Sequence, residues 1–192
     1  MNQLEIVAEH FDEHLKVINT VSQLCSGTIS KSAFEIAQTL SNEGTVYWCG
    51  NGGSAADSQH LAAELVGRFK KDRKALRSIA ITTDTSILSC VANDYSYEDI
   101  FSRQLEALAR PKDVLVAIST SGNSENILRA LMSAKNLGVK TIALLGKDGG
   151  KGKNLADQAI IIPSETTARI QEAHILIGHI LCDLIEQELG FV

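Results

Sequence analysis

The stretch from Gly44 to Phe69, GTVYWCGNGGSAADSQHLAAELVGRF, restricts the fold more than any other part of the chain. Val46, Tyr47, Trp48 and Cys49 form a short apolar run suited to a strand. Gly50-Asn51-Gly52-Gly53 breaks that run, and Ser54 to Leu65 has helix-forming composition. Ser54 reads as the N-cap, with Asp57 in the first turn, where a negative charge suits the helix dipole. A strand that ends in a glycine turn beneath a helix start offers free backbone N–H groups to an anion. His60 and Glu64 follow four residues apart on one face of this helix. They can be read as a surface pair, a metal half-site or an acid–base pair. Their helix begins at a ligand loop, which favours the last two.

The rest of the chain repeats the strand–helix alternation. Leu4, Val7, Phe11, Leu15, Ile18, Val21 and Leu24 form a helical stripe that Ser26-Gly27 is expected to end. A second helix, capped by Ser30 or Ser32, should run to Gly44. Strands are expected at 78–82, 113–118, 140–145 and 159–162, with helices at 86–91, 97–109, 125–137 and 167–189. The run Asp113-Val-Leu-Val-Ala-Ile118 is apolar after its first residue, as in a strand buried on both faces. Such alternation implies a parallel sheet covered by helices, with ligands beyond the carboxyl ends of the strands. Three small polar loops fall at those ends: 51–54, 82–86 and 119–124.

Ser119-Thr120-Ser121-Gly122-Asn123-Ser124 carries the strongest phosphate signal. Its hydroxyls and N–H groups gather at a helix start with no bulky side chain between them. A plain helix cap would need one of those hydroxyls, not four. Gly50, Gly52 and Ala55 also match the looser dinucleotide fingerprint G-x-G-x-x-A, with Asp84 as the ribose acid. That reading leaves the serine loop and the His60/Glu64 pair unexplained. No triphosphate-binding G-x-x-x-x-G-K-[ST] motif is present. On the last helix, one of His174 and His179 is expected to be a packing residue, and the polar start Arg169-Gln171-Glu172 exceeds what a cap requires.

Composition removes other classes. A net charge of -5 over 192 residues, without a basic stripe, argues against duplex nucleic acid as a partner. No apolar run reaches membrane-span length, and the acidic N-terminus does not read as a signal peptide. Cys25, Cys49, Cys90 and Cys182 are scattered without a CxxC pair. They read as reduced thiols in a cytoplasmic protein, Cys90 included as a buried structural one.

With CGNGGSAADSQHLAAELVGRF, CVANDYSYEDIFSRQ, ISTSGNS, LLGKDGG and ARIQEAHILIGHILCDLIE together, nearly the whole chain resembles the sugar isomerase (SIS) domain. It most resembles the bacterial phosphoheptose isomerases, which act on sedoheptulose 7-phosphate. The resemblance implies an α/β fold: a three-layer αβα sandwich with a flavodoxin-like five-stranded parallel sheet and extra N-terminal helices. It implies one domain over 1–192, with a helical pair at 1–43 that packs either on its own sheet or as an oligomer contact, the latter suited to the family's assembly, and a nucleotide-free phosphosugar core at 44–192. The assembly would be a homotetramer with active sites at subunit interfaces. Ser119, Thr120, Ser121 and Ser124 would take the phosphate, and Asn51, Gly52, Gly53, Asn93 and Asp94 would line the sugar, with Ser54, Arg68 and Gln171 close by. One zinc ion per subunit would be held by His60, Glu64, Gln171 and His179, and Glu64 and His179 would be catalytic. The implied product is D-glycero-D-manno-heptose 7-phosphate, on the route to ADP-heptose and lipopolysaccharide.

Two points qualify the transfer. Some family members have Asp where this chain has Ala168, so no role can be given to that carboxylate here. Gln171 and His179 are about 12 Å apart along an ideal helix and about 80° apart around it, so diverging side chains would leave zinc at most three of the four ligands. A second SIS branch, which binds the replication initiator and lacks the Glu64 acid and the His179 imidazole, gives the alternative of a non-catalytic phosphosugar-binding regulator. This chain has both residues.

Overall fold

Five parallel strands in the order β2-β1-β3-β4-β5 form the centre of the molecule. The computed structural model describes residues 2–191, so the outermost residues of the expected 1–192 domain lie outside it. The elements are α1 (Gln3–Ser41), β1 (Val46–Gly50), α2 (Gly53–Val66), β2 (Ser78–Ala80), α3 (Thr85–Asp94), a 3-10 turn (Tyr97–Asp99), α4 (Ser102–Leu108), β3 (Val114–Ser119), α5 (Glu125–Asn136), β4 (Lys140–Gly146), a 3-10 turn (Gly152–Asn154), β5 (Gln158–Ile162) and α6 (Thr167–Glu188).

The alternation of side chains along each strand builds the three layers. Val46, Trp48, Val114, Val116, Ile142 and Leu144 face one way, into a core completed by α1, α2 and α6. Tyr47, Cys49, Leu115 and Ala117 face the other way, against Phe101, Leu105, Ile127 and Leu131. Both faces are dry, which is why β1 and β3 are buried at every position. The strand order reverses between β1 and β3, the switch point where such sheets take ligands. Gly50 is level with Ile118 in the register, so the glycine turn and the serine loop leave the sheet side by side.

The expected pair of N-terminal helices is instead one helix of 39 residues, about 58 Å long. Ser26-Gly27 does not break it. Ser26 Oγ bonds back to the Ser22 carbonyl at 2.5 Å, and a glycine within a helix costs only about 1 kcal/mol. Val21, Cys25, Ile29, Ala33 and Ile36 are buried on both sides of the predicted break, and their packing carries the helix through. The start is fixed by a capping box between Asn2 and Glu5. Two other expectations change. α3 runs on to Asp94, past the expected end at residue 91, and the expected 97–109 helix is a 3-10 turn followed by the short α4.

Candidate active site

The serine loop joins β3 to α5. Gly122 has φ +63°, and a Cβ there would come within 2.1 Å of the Gly149 carbonyl, so only glycine fits. That contact belongs to a clasp. Gly152 N–H donates to the Gly122 carbonyl at 2.9 Å and Lys151 N–H to Asn123 Oδ1 at 3.0 Å. The stretch 149–152, at the end of LLGKDGG and just beyond it, therefore packs against the loop. Inside it, Ser119 Oγ accepts from Gly122 N–H at 3.2 Å and lies 3.4 Å from Ser124 Oγ. Ser124 is the N-cap of α5, yet its hydroxyl makes no capping bond. Hydroxyls and the first N–H groups of α5 thus gather at the positive end of a helix dipole, an arrangement that binds phosphate.

Across the switch point, α2 starts at Gly53, with Gly52 as N-cap at φ +56°. Ser54, expected to be the cap, is a buried residue inside the first turn. The glycine already supplies the left-handed turn there. Asn51 pairs with Asn126 at the start of α5, which ties the two loops together. Gln171 of α6 lies against Gly53: a Cβ on Gly53 would fall 2.4 Å from Gln171 Nε2.

His60, Glu64 and His179 meet lower on the α2–α6 face. His60 Nε2 is 3.0 Å from His179 Nε2 and 3.2 Å from Glu64 Oε1. One ligand atom from each residue lies within 4.8 Å of the others, so the three could hold a metal ion. Gln171 packs against Gly53, about two helical turns before His60 on α2, and makes no hydrogen bond to this group among the described residues. Asn93 and Asp94 are exposed at the end of α3, bonded to each other at 2.8 Å. Arg68 is exposed and has no hydrogen bond or ion pair among the described residues.

Three contributors were not predicted from sequence. Phe69 stacks on His179 with ring centroids 5.6 Å apart. The buried pair Arg73–Glu186, at 2.8 Å, fixes the loop that carries Phe69: Glu186 accepts from the N–H groups of Phe69, Lys70 and Lys71. Arg73 also donates to the Glu64 carbonyl at 2.9 Å. Asp57, three residues before His60 on the same face, has one carboxylate oxygen buried without a partner. Burial pushes its carboxyl up, opposed by His60 and His179. Its i, i+3 spacing from His60 was the available sequence signal.

The thiols divide. Cys25, Cys49 and Cys182 are buried, and all four cysteines are free. Cys90 is exposed, against the expectation of a buried thiol, because it lies on the outer side of α3; its Sγ is 3.5 Å from Asp94. Among the described residues, no helix is long and apolar enough to cross a membrane.

His174, not His179, is the packing histidine. Burial drives its pKa down from 6.5 to about 4, against the pull of the Leu145 carbonyl, so the folded ring is neutral. Below pH 6.5 the unfolded ring binds a proton that the folded one refuses, so stability falls as pH drops towards 4. The loss should reach roughly 3 kcal/mol for a shift of this size. A His174→Leu variant should show a flatter melting temperature between pH 6.5 and 4; an equally steep curve would mean that other groups carry the acid sensitivity.

The sheet, the serine loop at its switch point and the glycine turn opposite define a class. The SIS-domain pattern matches residues 9–146, and the chain belongs to the SIS-domain family. Within that family its relatives are phosphoheptose isomerases. The Helicobacter pylori (strain P12) phosphoheptose isomerase is 50% identical over 186 residues, 97% of each chain. The Neisseria gonorrhoeae phosphoheptose isomerase structure, 42% identical, superposes with a TM-score of 0.92 over 97% of this chain and all of that one. The Francisella tularensis structure gives 0.94 at 37% identity, with the same coverage. The chain thus groups with isomerases, and these relatives lend nothing to the regulator alternative.

Proposed function

We propose that the protein converts sedoheptulose 7-phosphate to D-glycero-D-manno-heptose 7-phosphate, in the cytoplasm, on the route to ADP-heptose and lipopolysaccharide. The carrying observation is the His60–Glu64–His179 group. A carboxylate and two imidazoles from helices distant in sequence meet on α2 and α6, α2 being the helix that starts at the glycine turn, and a regulator that only binds a phosphosugar has no need of them.

The reaction takes a proton from C1, returns one to C2 and moves the O1 hydroxyl proton towards O2. Ser119, Thr120, Ser121 and Ser124 hold the phosphate and so fix the far end of the chain. Asn51, Gly52, Gly53, Ser54, Asn93, Asp94, Arg68 and Gln171 bind the sugar. Glu64 is the base at C1, and His179, oriented by the Phe69 ring, relays the proton between oxygens.

The same three side chains suit zinc. Two imidazole nitrogens and a carboxylate oxygen form a common zinc donor set, and bonds of about 2.0–2.1 Å in a tetrahedron put ligand atoms roughly 3.3 Å apart. The observed separations of 3.0 and 3.2 Å are close to that. His60, Glu64 and His179 would hold one ion per subunit; Gln171, the fourth ligand expected, lies against Gly53 at the start of α2 and is left to the sugar. Zinc, when bound, supplies a Lewis acid that polarises the ketose carbonyl.

The site is proposed to be completed in a homotetramer. His60 has a half-exposed side chain, and Leu4, Val7, Phe11 and Leu15 leave an apolar stripe open along the N-terminal part of α1 (Phe11 is 66% exposed). A second copy covering these faces, with 1–43 as the contact and 44–192 as the core, accounts for both. The test is turnover of sedoheptulose 7-phosphate after chelation, with and without zinc restored, alongside sedimentation. Turnover that returns with zinc in a tetramer is expected. Turnover indifferent to the chelator removes the metal, a monomer removes the shared site, and binding without turnover removes the isomerase.

A further inference from the structure

The Asn51 side chain is nearly saturated within the protein. Its Nδ2 donates to Asn126 Oδ1 at 2.9 Å, and Asn126 Nδ2 donates back to Asn51 Oδ1 at 2.8 Å. The Tyr97 hydroxyl donates to the same Oδ1 at 3.0 Å. An amide oxygen has two lone pairs and an amide nitrogen two hydrogens. Both lone pairs of Asn51 Oδ1 are therefore taken, and a single N–H remains for a ligand.

The two partners are themselves held. Asn126 is 3% exposed. Tyr97 opens a 3-10 turn that α5 grips through Arg129, which bonds Asp99 at 2.7 Å and also pairs with Glu98. The helix α5 starts immediately after Ser124. One helix thus carries the end of the serine loop, the Asn126 amide and the anchor of Tyr97.

We infer that Asn126 and Tyr97 are positioning residues that make Asn51 a one-way hydrogen-bond donor, locked to the helix on which the phosphate loop ends. The inference rests on the isomerase reading and deepens it. An unanchored amide can turn either its N–H or its oxygen towards a sugar. A fixed N–H suits an acceptor oxygen only, and an oxygen that gains negative charge between ketose and aldose is such an acceptor. Donors aimed in advance stabilise that charge without reorganising during the reaction. Asn126 and Tyr97 touch Asn51, not the reacting atoms, so their effect must pass through it.

The test is a double-mutant cycle of Tyr97→Phe and Asn51→Ala. It is read as kcat and KM for sedoheptulose 7-phosphate and as calorimetric binding of that sugar and of inorganic phosphate. Tyr97 is 59% exposed, so removing its hydroxyl should leave the fold intact. Tyr97→Phe should lower kcat/KM about tenfold, mostly through kcat, and Asn51→Ala about a hundredfold. The double variant should lie within about twofold of Asn51→Ala, because Tyr97 has nothing left to hold. Affinity for inorganic phosphate should be unchanged in Tyr97→Phe. Losses that multiply in the double variant overturn the inference, as do unaltered kinetics in Tyr97→Phe. If the parent protein binds the sugar but does not turn it over, the isomerase reading fails, and the same cycle in sugar affinity decides: non-additive losses support the positioning role and additive ones reject it. A parent that does not bind the sugar overturns both.

Discussion

Glu64→Gln should lower kcat for sedoheptulose 7-phosphate by about a thousandfold, within the usual range for losing a general base. The variant keeps the size of the side chain and its place four residues from His60 on α2. The loop proposed to take the phosphate lies elsewhere, between β3 and α5, so calorimetric affinity for the sugar phosphate should change by no more than a few-fold. Zinc content, measured on the same sample, separates two outcomes. Full loss of the ion assigns the carboxylate chiefly to metal binding, and retention with lost turnover assigns it to proton transfer. Turnover near the parent rate would remove Glu64 from the chemistry.

Glu186→Ala should lower the melting temperature by about 10 °C. Arg73 and Glu186 side chains are each 1% exposed, and removing one partner of a buried pair typically costs about 3–5 kcal/mol, because the other charge stays buried. The carboxylate also anchors three loop N–H groups. Burial pushes the Glu186 carboxyl up, but those N–H groups and Arg73 outweigh it and hold it below 4.5. A depressed carboxyl stabilises the fold above its unfolded value and loses that contribution as pH falls through the folded value. The parent should therefore lose this stability below about pH 4.5, and the variant should have none of it to lose. An apolar pair at both positions should recover much of the melting temperature, since buried pairs exchange for packed apolar groups at little cost. It should not restore turnover, because the loop that sets Phe69 against His179 would have lost its acceptor. A melting temperature unmoved in Glu186→Ala would show that the pair contributes nothing net.

Local patterns told most of the fold. Apolar runs ended by small polar loops revealed each strand and the shared ends of β1 and β3, because burial on two faces leaves a continuous signal. The serine loop was legible because its hydroxyls are adjacent in sequence and stay together at the start of α5. The unbroken α1 was not, since the stabilising contacts of Val21, Cys25 and Ile29 come from other elements, while Ser26-Gly27 is a local stop signal. The site divided likewise. His60 and Glu64 share a helix face and could be paired in advance. The residues that hold and orient the site could not: Phe69 on His179, Glu186 under the loop and Tyr97 on Asn51 all join distant parts of the chain, and none has a motif.

The level register of β1 and β3 also bears on how the molecule comes into being. Val46 pairs with Val114, a separation of 68 residues (114 less 46), with α2, β2, α3 and α4 between them. No hairpin brings these strands together, and every strand pair in the sheet is a parallel crossover. Contacts of this range close slowly, because chain entropy is lost before they reward it. The crevice between the glycine turn and the serine loop therefore has no local precursor. During synthesis it cannot form until β3 has emerged, and the clasp around Gly122 waits further, for Lys151 and Gly152. Closure of the crevice on refolding is thus paced by the longest-range step in the sheet rather than by helix formation.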